Sequence, residues 1–208
     1  MKSTGDMSTA VNPVGSQWIN DLKTITEFTR PLRRRFGVVA VILCALAAPA
    51  YASTVCNVDV GYSPEGSAEQ LAVTAIASAR SSIRVAAYTF SSPVIAHELV
   101  SARRRGVDVA VLVDQKESRS KSQQAALNLL VSSGVRTRTV SAYPIHHDKF
   151  LVIDGSAVET GSLNYSSAAM RRNSENAVLL TGCPDLARSY LTHWMSRWDQ
   201  GVDYSPSY

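Results

Sequence analysis

A short segment in the last third of the chain carries side chains that can act on a phosphate. His147 and Lys149 precede the apolar residues 150–153, which are typical of a buried strand closed by a turn at Asp154 and Gly155. Because alternate residues of a strand share a face, the imidazole and the ammonium would point the same way, about 6.6 Å apart. A neutral imidazole can attack phosphorus, and an ammonium can donate to the non-bridging oxygens. The spacing therefore indicates attack on a phosphodiester without a metal ion.

Further polar groups in the same region suit a phosphate site. Ser162 and Asn164 lie two residues apart in a segment with Gly and Ser, where a turn would let both side chains face the phosphate. Glu175 opens the next apolar strand and is the best candidate to accept a hydrogen bond from the His147 ring, which would fix its tautomer. Asp154 lies by strand parity on the opposite face from His147. A role in the turn explains Asp154 as well as a role in the site does.

These residues form an ordered set that matches a known pattern. The signature of the phospholipase D superfamily is similar to three blocks of this sequence: His147-x-Lys149-x4-Asp154, Gly161-Ser162-x-Asn164 and Glu175-Asn176. Residues 53–208 more specifically resemble the small bacterial periplasmic endonucleases of that superfamily, including residues 61–66 and 193–198. The resemblance covers the whole predicted mature domain.

The resemblance implies a role for each residue. His147 would be the nucleophile, oriented by Glu175, and Asp154 would have a structural or ion-pairing role. Three residues would form the phosphate pocket: Lys149, Ser162 and Asn164. Members of this family work without a divalent metal, so the resemblance implies neither a metal site nor another cofactor.

The resemblance also implies a homodimer. Family members use two copies of the motif in each active site, and this sequence contains one. A two-fold axis would bring two His147 side chains to one phosphate. One imidazole would attack, and the other, protonated, would donate to the leaving oxygen. Water would then hydrolyse the phospho-histidine.

The catalytic residues leave the substrate open. Nucleic acid, DNA and possibly RNA, is favoured by the resemblance to endonucleases, with phospholipid headgroups as the alternative substrate. Both are phosphodiesters, so the same residues would serve either. A module that binds nucleic acid without turnover is disfavoured by the complete set of His147, Lys149 and Glu175.

The N-terminal region has the pattern of a secretory leader. Arg33, Arg34 and Arg35 form a positive segment, residues 36–48 are apolar, and Ala50-Tyr51-Ala52 suits signal-peptide cleavage. An uncleaved membrane anchor is the alternative. We therefore expect an N-terminal extension and signal peptide over residues 1–52, a nuclease domain over residues 53–208, and a periplasmic or secreted protein.

The charge of the predicted mature domain is close to neutral. Six of the 21 basic and three of the 17 acidic side chains precede Ser53, so residues 53–208 carry 15 basic and 14 acidic side chains and a net charge of +1. Binding of a polyanion would thus depend on local basic clusters, such as Lys149 and the loop over residues 116–121.

Cys56 and Cys183 remain after cleavage. In an oxidising compartment they could form one disulfide between the N-terminal segment and the start of the last helix, and two buried thiols are the alternative.

Strands and helices alternate along residues 53–208. This order predicts an α/β fold with a mixed β-sheet flanked by helices on both faces, in a single domain. The predicted strands cover residues 55–60, 82–90, 107–113, 135–140, 150–153 and 177–180, and Asp154-Gly155 predicts a hairpin after residues 150–153. The predicted helices cover residues 67–80, 93–105, 121–133 and 186–198. His146 is interpreted as a structural or solvent-facing residue, His97 and His193 as packing or surface residues, and Trp194 and Trp198 as one packed helix face.

Overall fold

A single mixed sheet forms the centre of the computed structural model, which describes residues 55–206. Its eight strands in this part of the chain are β1 (Asn57–Ser63), β2 (Ser82–Ala87), β3 (Asp108–Asp114), β4 (Arg136–Val140), β5 (Lys149–Ile153), β6 (Ala157–Gly161), β7 (Glu175–Thr181) and β8 (Val202–Asp203). The helices are α1 (Ser67–Ser78), α2 (Pro93–Arg104), α3 (Lys121–Ser132), α4 (Ser167–Arg171) and α5 (Pro184–Trp198). The predicted leader, residues 1–52, lies outside the described residues.

The strand order is β1-β7-β6-β5-β2-β3-β4-β8. Strands β2, β3 and β4 are parallel and joined by α2 and α3, whereas the other neighbours in the sheet pair antiparallel. Strand β3 is buried at six of its seven positions, as expected of a central parallel strand covered on both faces. This order places β5 in the middle of the sheet, between β6 and β2, so Lys149 enters the site from a rigid strand.

Helices cover both faces of the sheet, as predicted. Helices α1 to α4 pack over one face and enclose the larger apolar core. Helix α5 packs on the other face against β2, β4, β5 and β6. Trp194 donates a hydrogen bond of 2.8 Å to the Val85 carbonyl, and its ring stacks on Trp198 with 4.7 Å between centroids. The predicted α/β fold and the packing role of the two tryptophans are confirmed.

The turn between β5 and β6 has the predicted hairpin geometry. Asp154 and Gly155 have φ angles of 51° and 62°, and Ser156 N donates to the Ile153 carbonyl over 3.0 Å. Two consecutive residues with positive φ are typical of a type I′ turn, which favours Asp-Gly.

Cys56 and Cys183 form a disulfide with 5.0 Å between their Cα atoms. It joins the segment before β1 to the residue that precedes α5, and this is the predicted pair. No helix among residues 55–206 combines the length and the apolar character needed to cross a bilayer.

Candidate active site

His147 and Lys149 form a close pair at the start of β5. The Lys149 ammonium lies 3.2 Å from each nitrogen of the His147 ring and donates a 2.9 Å hydrogen bond to the His147 carbonyl. His147 is exposed and Lys149 is half-buried. Burial lowers the pKa of Lys149, while the negative charges of Glu175 and Asp148 act in the opposite direction. The predicted common face is therefore present, and an imidazole and an ammonium are available together to one phosphate.

Tyr88 packs against this pair from the neighbouring strand. It follows β2, whose last residue, Ala87, is paired with Lys149. Its ring centroid lies 4.6 Å from that of His147 and 5.4 Å from the Lys149 ammonium. The Tyr88 hydroxyl donates to Glu117 Oε1 over 3.2 Å, and burial followed by this contact raises the pKa of Tyr88. Glu117 thus fixes the Tyr88 hydroxyl, and the Tyr88 ring restricts the orientation of the His147 ring.

Ser162 and Glu175 join the second and third sequence blocks. The Ser162 hydroxyl donates a 2.6 Å hydrogen bond to Glu175 Oε2 and accepts one of 3.1 Å from the Asn176 backbone N–H. Asn173 Nδ2 donates to Glu175 Oε1 over 3.0 Å. A Cβ at position 161 would collide with the Asn176 carbonyl oxygen, so Gly161 allows the two segments to approach this closely. The turn and the β7 start are therefore one hydrogen-bonded unit.

The expected contact between Glu175 and His147 is not formed within one chain. Among residues 55–206, the hydrogen-bond partners of the Glu175 carboxylate are Ser162 and Asn173. The pairing of β6 with β5 places Ser162 and Glu175 near the pair, because Thr160, two residues before Ser162, donates a 3.3 Å hydrogen bond to the Lys149 carbonyl. The role of Glu175 in orienting His147 stays a prediction.

Asn164 is held by its neighbour. The Tyr165 carbonyl accepts hydrogen bonds of 2.9 Å from the backbone N–H groups of Ser91 and Ser92. Asn164 Oδ1 is buried and has no hydrogen-bond partner within the part of the chain that the structure describes. The Asn164 amide thus has an acceptor without a partner. Buried polar atoms are rarely left in this state, so the lone acceptor needs an explanation.

Asp154 lies at the far end of β5, about 16 Å along the strand from Lys149. Its carboxylate accepts hydrogen bonds of 2.8–2.9 Å from the backbone N–H groups of residues 80, 81 and 82 and from the Ser81 hydroxyl. Burial acts to raise the pKa of Asp154, but these hydrogen bonds outweigh it and lower the pKa. The sequence left open a role of Asp154 in the turn or in the site, and these contacts are those of a turn residue.

A second group of ionisable side chains lies next to the pair. His193 Nε2 is 2.9 Å from Asp148 Oδ2, and His146 Nδ1 is 3.5 Å from the same oxygen. His146 is buried, with 3% of its surface exposed, and its backbone N–H donates to Asp114 over 2.8 Å. Burial lowers the pKa of His146, whereas Asp148 and Asp114 act to raise it. His146 is therefore structural, one of the two expected alternatives.

A cavity of about 400 Å³ adjoins the pair. Residues of β5, of β6 and of the segment before β5 line one side of it, among them His147, Lys149 and Thr160, and α5 lines the other with Ser189, Tyr190 and His193. The sequence interpretation of His193 as a packing or surface residue holds in part, because the centroids of its ring and the Phe150 ring are 6.1 Å apart. The interpretation missed the contact of His193 with Asp148 and its place in the wall of this cavity. The signal that could have found it is the resemblance of residues 193–198 to the endonucleases.

The fold and the His147–Lys149 pair define a class of phosphodiester-cleaving enzymes. The family model described as "Cardiolipin synthase, PLD-like domain" matches residues 72–198 of this chain. A protein named phospholipase D from Rickettsia bellii is 34% identical over 141 residues, which are 68% of this chain and 69% of that protein. The chain belongs to the phospholipase D superfamily and is a phosphodiester hydrolase of that family, as predicted.

Solved structures show the same relationship. A phospholipase D family member, Nuc from Salmonella typhimurium, is 49% identical with a TM-score of 0.71, and the match covers 72% of this chain and 99% of that chain. NucT from Helicobacter pylori has a TM-score of 0.66 at 21% identity, over 72% of this chain and 100% of that chain, and shows the shared fold. A mitochondrial cardiolipin hydrolase from Xenopus laevis is 33% identical over 129 residues, covering 62% of this chain and 59% of that protein.

Proposed function

We propose that the protein is a metal-independent, non-specific endonuclease that acts as a homodimer outside the cytoplasm. The observation that carries this proposal is the contact of His147 with Lys149 beside the Ser162–Glu175 unit. The resemblance to small periplasmic endonucleases favours nucleic acid. So does the similarity to Nuc, which at 49% identity exceeds the 34% identity to the Rickettsia bellii phospholipase D.

The reaction proceeds in two displacements at phosphorus. A ring nitrogen of one His147 forms a bond to phosphorus as the P–O bond to the leaving group breaks, and the second His147, protonated, gives its proton to the leaving oxygen. Water then attacks phosphorus and passes a proton to that second imidazole, and the P–N bond breaks to release the phosphate monoester. Lys149 and Asn164 bind the non-bridging oxygens, and Ser162 and Glu175 support this pocket.

An apolar stripe supports the homodimer. Val58, Val60 and Tyr62 on one face of β1 are 57%, 49% and 55% exposed. Val178 and Leu180 of β7 pair with Val60 and Val58 and extend the same face. Exposed apolar patches on an edge strand mark interaction surfaces and are seldom left uncovered.

One end of the apolar stripe lies next to the candidate site. Tyr62 pairs with Asn176, whose backbone N–H is bound to Ser162. A second copy seated on this face would therefore bring its own His147 towards the first. This arrangement would complete a site for which one chain supplies a single motif.

A basic rim suits a nucleic-acid backbone. Lys116 donates a 3.0 Å hydrogen bond to the Pro144 carbonyl, which ties the loop after β3 to the segment that carries His147. Arg119 in the same loop and Lys121 at the start of α3 are exposed. These charges supply the local positive field that the near-neutral mature chain otherwise lacks.

Phospholipid headgroups are the second candidate substrate. The proteins from Rickettsia named phospholipase D and the amphibian protein named cardiolipin hydrolase favour it.

The disulfide supports an oxidising compartment, in line with the leader pattern over residues 1–52.

The test is a parallel assay of the purified, disulfide-bonded protein on plasmid DNA, RNA and phosphatidylcholine vesicles with excess EDTA. We expect nicking and fragmentation of DNA at a rate that the chelator leaves nearly unchanged. The His147→Ala variant is expected to lose turnover, and His97→Gln, on the opposite face of the sheet, serves as the matched control. Turnover of phosphatidylcholine alone would reject the nuclease proposal, and strong inhibition by EDTA would reject the metal-free mechanism.

A further inference from the structure

We infer that the cavity between β5, β6 and α5 is a second phosphate subsite, which binds the phosphodiester next to the scissile one. This inference rests on the proposed nuclease function and extends it. The cavity of about 400 Å³ begins at His147 and Lys149 and runs along α5. Its volume lies in the range of pockets that enclose small organic groups. A chain cleaved at His147 would therefore pass directly into it.

Helix α5 presents unused polar groups to this cavity. Ser189 and His193 are four residues apart and share a helix face, with Tyr190 beside them. Within residues 55–206 neither the Ser189 hydroxyl nor the Tyr190 hydroxyl has a hydrogen-bond partner. The Tyr190 ring is fixed edge-on against Phe150 with 5.0 Å between centroids. Ser189 is exposed and Tyr190 is half-buried, so the helix offers the cavity two hydroxyl donors, and the one on Tyr190 is carried by a fixed ring.

His193 supplies the imidazole of the group. Its Nε2 is held by Asp148 at 2.9 Å, which leaves Nδ1 as the free ring nitrogen of a side chain that lines the cavity. A protonated imidazole donates through both nitrogens, so one can bind Asp148 while the other binds a phosphate oxygen. The Asp148 carboxylate would repel a phosphate, but it is flanked by Lys149 in the chain and by His193 in space. The arrangement thus fixes the ring and balances the carboxylate charge.

The subsite distinguishes polymers from single diesters. An oligonucleotide places a second phosphodiester beside the scissile one, and it can occupy both positions at once. A small diester such as bis(p-nitrophenyl) phosphate has one phosphate and reaches only the His147 site. The contribution of α5 should therefore appear in the binding of oligonucleotides far more than in the turnover of the small diester.

The experiment compares steady-state kinetics of the full protein on a short single-stranded oligodeoxynucleotide and on bis(p-nitrophenyl) phosphate, both with EDTA. The variants are Ser189→Ala, Tyr190→Phe, His193→Gln and their combination, which keep side-chain size nearly constant, and His97→Gln is the matched surface control. We expect the combined variant to lower the ratio of kcat/KM for the oligonucleotide to kcat/KM for the small diester roughly tenfold, mainly through KM. His97→Gln should leave this ratio as in the unmodified protein.

Three outcomes would overturn the inference and are separable. If the unmodified protein cleaves the oligonucleotide and the combined variant keeps both values of kcat/KM, the subsite is wrong and the nuclease function stands. If the unmodified protein cleaves only the small diester, the nuclease proposal itself fails and the subsite with it. Equal losses on both substrates would assign α5 a structural role and would also overturn the inference, and the single variants show which group causes the loss.

Discussion

The Tyr165 hydroxyl donates a 2.5 Å hydrogen bond to the Glu159 carboxylate in the interior of the domain. Glu159 is 1% exposed and Tyr165 is fully buried. Burial raises the pKa of Glu159 to about 7, although the hydrogen bond from Tyr165 acts to lower it. The same tyrosine anchors the segment that carries Asn164. A buried carboxyl group therefore supports one wall of the candidate site.

The raised pKa predicts that stability falls as the pH rises. Between an unfolded value near 4.5 and the folded value of about 7, the folded protein holds a proton on Glu159 that the unfolded chain has lost. The free energy of unfolding thus decreases over this interval, by about 3 kcal/mol if no other group compensates. Above pH 7 both states are ionised and the contribution is constant. Urea unfolding between pH 4.5 and 8 measures it.

The Glu159→Gln variant isolates this effect from other titrating groups. Its free energy of unfolding relative to the unmodified protein should increase from pH 4.5 to 7 and then level off. The lowered pKa of His146 acts in the opposite direction, because a histidine that is kept neutral by burial costs stability as the pH falls. A difference between variant and unmodified protein that does not change with pH would contradict the assignment to Glu159.

Asp154 is predicted to matter for stability more than for turnover. Its carboxylate accepts four hydrogen bonds from residues 80–82, and Asp154→Ala would leave three backbone N–H groups without this partner. We expect a loss of about 3 kcal/mol in the free energy of unfolding at pH 7. The exposed Asp59→Ala variant is the matched control and should change stability by less than about 0.5 kcal/mol. Loss of activity in a folded Asp154→Ala protein would instead place Asp154 in the catalytic machinery.

The sequence predicted the parts of the site that lie close together along the chain. His147 lies two residues before Lys149, the first residue of β5, and the period of two predicted that both would lie on one face. The Asp154–Gly155 turn was predictable because few dipeptides accept two positive φ angles. The fold class followed from the alternation of strands and helices in the same way.

The sequence could not predict contacts between distant elements. Tyr88 reaches His147 only because β2 and β5 are neighbours in the sheet, which requires the strand order. His193 reaches Asp148 only because α5 packs on β5 and β6 beside the start of β5. Helix α4 and strand β8, with five and two residues, were missed because they are too short to show a period.

The rate of phosphodiester cleavage is predicted to have a bell-shaped dependence on pH. Catalysis by paired imidazoles requires one neutral ring as nucleophile and one protonated ring as acid. At low pH the nucleophile is lost, and at high pH the acid is lost. Deprotonation of Lys149, whose pKa is lowered by burial, adds to the fall on the alkaline side. Measurement of kcat/KM for bis(p-nitrophenyl) phosphate across the imidazole range tests this, and a flat profile there would contradict the paired roles.

A heterodimer with a single His147 is predicted to be inactive. Coexpression of the unmodified chain and a His147→Ala chain with different affinity tags allows the mixed dimer to be purified. If both imidazoles serve one phosphate, the mixed dimer lacks either the nucleophile or the acid, and its rate should fall at least about a hundredfold. If each chain holds a complete site, half of the activity should remain. The mixed dimer with His97→Gln controls for the tags and should keep full activity, so the two arrangements differ by far more than the error of a nicking assay.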